Sequence, residues 1–94
     1  MLDRGVFILY TEGMRTPAQY VIEIFGGARE IARLLDKDPS TVYKWVKPRS
    51  LGGTDGAIPT HEQRLLLGLA VDRGLDLTAE DLILGRAAEE PAAV

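Results

Sequence analysis

The chain is divided into short pieces by its own punctuation. Thr16 followed by Pro17, with Gln19 three after the threonine, reads as an N-cap, a first helical residue and a capping-box partner. Asp38-Pro39 repeats the cap-and-proline start, and Thr78 with Asp81 repeats the box. Gly26-Gly27, Gly74 and Gly85 are stops, and Pro48 disfavours helix at Lys47 before it. Helices this short are marginal alone and gain stability by packing an apolar face. The expectation is an all-α fold, a compact bundle of about five short helices.

The first helix is predicted from Pro17 to about Phe25, with Val21, Ile22 and Phe25 on one face and Ile24 flanking. The second, Ala28 to Leu35, places Ala28, Ile31, Ala32 and Leu35 at the i, i+3, i+4, i+7 spacing of a buried stripe. Asp36-Lys37 forms a turn, and the third helix runs from Pro39 to Val46 or Lys47. Residues 48–57, PRSLGGTDGA, are a connector that reads equally as a plain loop or a short turned-back hairpin. The fourth helix, from Pro59 or Thr60 to Arg73, carries Leu65, Leu66, Leu69 and Ala70 on a broad apolar face, with His61 and Leu67 joining it. The fifth spans Ala79–Leu84. Residues 14–86 form the expected domain, with Met14 as the start of the functional protein. Residues 1–13, which include the strand-like run Val6–Tyr10, are expected to be a disordered or loosely packed extension, and 87–94 a flexible acidic tail.

A net charge of −3 argues at first against a nucleic-acid partner. Its distribution reverses that impression. Residues 28–50 carry six basic side chains (Arg29, Arg33, Lys37, Lys44, Lys47, Arg49) against three acidic (Glu30, Asp36, Asp38), a net of +3. The flanks hold −1 and −5. Phosphate attraction acts over a Debye length of about 10 Å, so the central island outweighs the total.

That island coincides with the second and third helices, which read as a helix-turn-helix. In such a unit one helix lies across the DNA backbone while the next enters the major groove, and the two must pack closely. Ala32, between Ile31 and Leu35, permits close approach; Val42 and Trp45, three apart, supply the inner side of the third helix. The outer side then presents Pro39, Ser40, Tyr43 and Lys44 as candidate base contacts. Arg29, Lys47 and Arg49 are candidate phosphate contacts, because long cations at the edge of such a unit position rather than specify, and Thr41 joins them as a flank residue better suited to the backbone than to base reading.

The span Ala28–Lys47 resembles the helix-turn-helix of the lambda-repressor-like family, nearest the Cro-type and YdaS-like regulators of prophages. The matching features are Ile31-Ala32, Leu35 and the string Ser40-Thr41-Val42-Tyr43-Lys44-Trp45. The segment Gly56–His61, the leucine-rich helix after it and Leu77–Leu82 are similar to how such proteins finish. Two positions depart from the pattern: Asp36 stands where the turn usually has glycine, and Lys37 where it has an apolar plug. The resemblance implies a sequence-specific transcription regulator, often a homodimer reading a near-palindrome, in the nucleoid-associated cytoplasm of a bacterial or phage-infected cell. Two rival readings are an antitoxin-like protein-interaction module, its partner bound through the fourth and fifth helices, and a DNA-packaging accessory similar to a small terminase subunit.

Enzymatic chemistry is not expected. His61 is the single histidine, and no titratable pair is arranged for acid–base work. No cysteine is present, so disulfides and thiolate metal sites are excluded. The GGTDG segment lacks the lysine of a phosphate-cradling loop and reads as a flexible connector. No cofactor, metal or membrane partner is implied.

Overall fold

A computed structural model describes residues 14–87, and it is all-α apart from one two-residue strand pair. Strand β1 is Met14–Arg15, followed by helices α1 (Pro17–Phe25), α2 (Ala28–Leu35) and α3 (Pro39–Lys44). A single 3-10 turn (Arg49–Leu51) precedes α4 (Thr60–Arg73), α5 (Ala79–Leu84) and β2 (Arg86–Ala87). The expected extension 1–13 lies outside the described residues, as does the expected tail 87–94 except Ala87, which pairs with Met14 in β2 rather than hanging free.

The punctuation acts locally as its chemistry requires. Thr16 Oγ1 accepts from the Gln19 amide at 3.1 Å while Gln19 Oε1 accepts from the Thr16 amide at 3.0 Å, which satisfies two free donors at the start of α1. Thr78 and Asp81 repeat the arrangement at α5. Gly26 and Gly74 adopt positive φ and end α1 and α4. At the end of α2 Asp36 takes the left-handed conformation, φ 58°, where glycine is usual. Its neighbour Lys37 donates its amide to Ala32 O at 2.8 Å, so the helix closes as it would with glycine.

One core joins all five helices. Val21 and Phe25 of α1, Ile31 and Ala32 of α2, Val42 and Trp45, Leu66 and Ala70 of α4, and Leu82 of α5 are buried together. The predicted face of α1 is rotated: Ala18 and Tyr20 are buried, while Ile22 and Ile24 pack half-exposed at its rim. Leu35 is likewise half-buried rather than a full core member. His61 does not join the apolar face of α4; it is exposed, because Glu62, Leu66 and Ala70 take the inward positions.

No strand periodicity announces β1 or β2. They pair antiparallel, Met14 opposite Ala87 and Arg15 opposite Arg86, and so tie the two ends of the described chain together. Arg86 locks this closure. Its guanidinium donates to Asp81 Oδ2 at 2.6 Å and Asp76 Oδ2 at 2.7 Å, and lies 4.6 Å from the centre of the Tyr20 ring. The Tyr20 hydroxyl in turn donates to Asp76 O at 2.5 Å.

Candidate nucleic-acid interface

Among the described residues α2 and α3 pack more extensively on each other than any other two helices. Asp38 caps α3: its Oδ1 accepts from the Ser40 amide and the Ser40 hydroxyl, both at 3.0 Å. Those hydrogen bonds hold the Asp38 carboxyl below the usual carboxylate range. The Ser40 hydroxyl hydrogen is thereby committed, and its oxygen faces solvent as an acceptor. Val42 and Trp45 are buried against the core, as their spacing requires.

The α-helical part of α3 is shorter than the sequence implies, ending at Lys44 rather than at Val46 or Lys47. Trp45, Val46 and Lys47 continue in tighter turns, each amide bonding three residues back. The physical cause is the connector. Amides of Thr54, Asp55 and Gly56 donate to the carbonyls of Lys44, Lys47 and Trp45 at 3.1, 2.9 and 2.6 Å, and Thr54 Oγ1 adds a bond to Trp45 O. Residues 48–57 contain no strand; they fold back as a cap over the end of α3. Gly53 makes the approach possible, since a Cβ there would sit 2.2 Å from Lys47 O.

Ser40, Tyr43, Lys44 and Lys47 form an exposed row, with Tyr43 47% accessible. Pro39 and Thr41 are half-buried at its edge. Arg29 is exposed on the first turn of α2.

The basic island divides in two. Among the described residues Arg29, Lys44 and Lys47 make no ion pair, whereas three cations are engaged. Arg49 pairs with Asp55 at 3.2 Å and also donates its amide to the same carboxylate at 2.8 Å. Both bonds hold the Asp55 carboxyl low. Arg33 pairs with Glu30 at 2.5 Å. Lys37 Nζ lies 2.9 Å from Glu62 Oε2, a carboxylate only 8% exposed. This ion pair pins the turn between α2 and α3 onto α4.

Thr54, Asp55 and Glu62 also belong to this region, beyond the residues expected from the sequence. Glu62 left a signal, because it falls four residues before Leu66 on the buried period of α4. Among the described residues no three His, Asp or Glu side chains gather as a metal site, and no helix is long and apolar enough to cross a membrane. No protein-family model, curated protein or solved structure matches this chain.

Proposed function

We propose that the protein is a sequence-specific, double-stranded-DNA-binding transcription regulator of Cro type. In this reading α2 and α3 act as a helix-turn-helix, and the segment from Pro39 to Lys47 enters the major groove. The observation that carries it is the exposed row Ser40, Tyr43, Lys44 and Lys47, held from beneath by Val42 and Trp45, with both lysines unpaired among the described residues. Lys44 is the leading candidate to read guanine acceptors, Tyr43 to meet a thymine methyl or a phosphate, and Ser40 to accept from a base amine. Lys47 and Arg29 are the phosphate contacts, with Thr41 and Pro39 at the edge. Arg49 joins them only by leaving Asp55. Two copies on a near-palindromic operator, one helical turn apart, would block or recruit polymerase, which sets the protein in the cytoplasm alongside the nucleoid.

Selection of binding sites from random duplexes, followed by titration at several salt concentrations, tests the reading. A recovered consensus is expected, with affinity falling steeply as salt rises. Lys44→Ala is expected to cost about 1–3 kcal/mol on the selected site and to relax preference at one position. Lys47→Ala is expected to weaken all sequences alike and to lower the salt slope by about 1. If Tyr43→Ala and Lys44→Ala leave affinity unchanged, the groove assignment is wrong. A ring of subunits in light scattering would favour a packaging accessory instead.

A further inference from the structure

We propose that the chain self-associates through the outward face of α4, two copies crossing antiparallel about a twofold axis at Gly68. The helix keeps two large apolar side chains on its outward side, beside Arg64 and Asp72. Glu62, Leu66 and Ala70 face the core, yet Leu65 is 43% and Val71 73% exposed. A helix with an apolar surface left over has a second face to cover. Along that face runs an open groove of about 660 Å³, its apolar wall made by leucines of α2 and by Leu65, Leu69 and Val71, with Asp36, Arg64 and Asp72 at its charged edge.

The occupant is read from the symmetry of the face. Gly68 sits in the middle of a 14-residue helix, where glycine weakens the helix relative to alanine. Among the described residues no packing explains it, because a Cβ at Gly68 would meet none of them within 4 Å. A bare backbone facing outward allows another backbone to come close. Leu65 and Val71 stand three residues to either side, and Arg64 and Asp72 four. At about 100° per residue all four lie within roughly 60° of Gly68. A second copy of α4 laid antiparallel across Gly68 therefore sets Leu65 on Val71 and Arg64 on Asp72, and each pair recurs across the axis. Isologous contacts require this self-complementarity. Among the described residues neither Arg64 nor Asp72 has an ion-pair partner of its own. Contacts built on one helix and a groove wall sit at the small end of stable interfaces, under about 1,200 Å² in total, so the association is reversible.

Sedimentation equilibrium of the full chain without nucleic acid is the test. The wild type is expected to shift from monomer to dimer over the micromolar range. Leu65→Asp is expected to weaken dimerisation by about thirtyfold, the loss of a central apolar anchor. Gly68→Leu is expected to abolish it while the thermal midpoint at dilute concentration holds or rises, since leucine is the better helix former. Arg64→Asp and Asp72→Arg are each expected to weaken it about fivefold, and the double exchange to restore it. Gly68→Cys, the only cysteine in such a chain, is expected to form an intermolecular disulfide on oxidation. A wild type that remains monomeric overturns the proposal. So does a dimer indifferent to Gly68→Leu and Leu65→Asp, or one that Gly68→Cys does not cross-link. The outcome is separable from DNA binding: a dimer that ignores DNA leaves this interface standing, and a monomer that binds an operator removes it alone.

Discussion

Lys37 illustrates how one side chain alters the local energetics of a turn. An apolar residue there would pack by dispersion; a lysine requires a counter-charge, and Glu62 supplies it from the first turn of α4. The hydrogen bond from Lys37 lowers the Glu62 pKa, overriding the burial that would raise it. Lys37→Ala would leave that carboxylate enclosed without its counter-charge. The expected cost is about 1–2 kcal/mol, below the figure for a fully buried pair because a third of the lysine side chain is in water. The paired exchange Lys37→Met with Glu62→Leu removes both charges and is expected to lie closer to the parent. Urea denaturation of the three proteins measures this. A Lys37→Ala midpoint equivalent to within about 0.5 kcal/mol of the parent would show that the ion pair contributes nothing to the turn.

At the scale of elements, the end of α3 depends on a loop rather than on the helix itself. Gly53→Ala would drive a methyl group into the backbone carbonyls of Lys47 and Lys44, 2.2 and 2.6 Å away, neither of which can swing aside as a side chain would. The expected loss is about 2 kcal/mol or more, seen as a lowered thermal midpoint. In dilute protein Gly68→Ala has the opposite sign, a gain of up to about 1 kcal/mol, because its methyl group meets open space. Equal midpoints for the two variants would refute the capping role of the connector. This contrast also marks what the sequence discloses. The starts of α1, α3 and α5 were legible because a cap and its amide lie two or three residues apart. The buried side of α3 was legible from Val42 and Trp45. The early end of α3 was not, since it depends on amides eight or more residues ahead. Nor was the ladder of Met14–Arg15 with Arg86–Ala87, two residues long on each side and separated by the whole domain. At the candidate site the exposed row followed from helical period. Periodicity says nothing of which cation finds a carboxylate, so the engagement of Arg49 by Asp55 and Lys37 by Glu62 became visible only with the fold.

For the whole molecule, closure rests on carboxylates, and this fixes how stability responds to pH. Asp81 is 9% exposed at its side chain and is ligated by Arg86 and the Thr78 cap; burial pushes its pKa up, but the hydrogen bonds from Arg86 and Thr78 outweigh it and hold it low. Asp76 is lowered by the hydrogen bond from Arg86, and Glu62 by that from Lys37. A carboxylate whose folded pKa lies below its unfolded value contributes stability that is complete above the unfolded value, near 4, and vanishes as pH falls through the folded one. Tyr20 works in the other direction. Its pKa is raised, chiefly by burial and against the pull of Arg86, so its contribution is complete below its ordinary value of about 10 and is lost at higher pH. The expected profile of thermal midpoint against pH is a plateau between roughly 5 and 9 with a steep acid limb below about 4. Asp81→Asn is expected to lower the plateau, because Arg86 loses a charged acceptor, and to flatten the acid limb, because one titrating group has gone. Circular-dichroism melts of both proteins across this range decide the matter. Parallel acid limbs would mean that the bond between Arg86 and Asp81 is not what holds the two ends of the domain together, and the closure would then rest on the β1–β2 ladder, the Tyr20 ring and the Arg86–Asp76 pair.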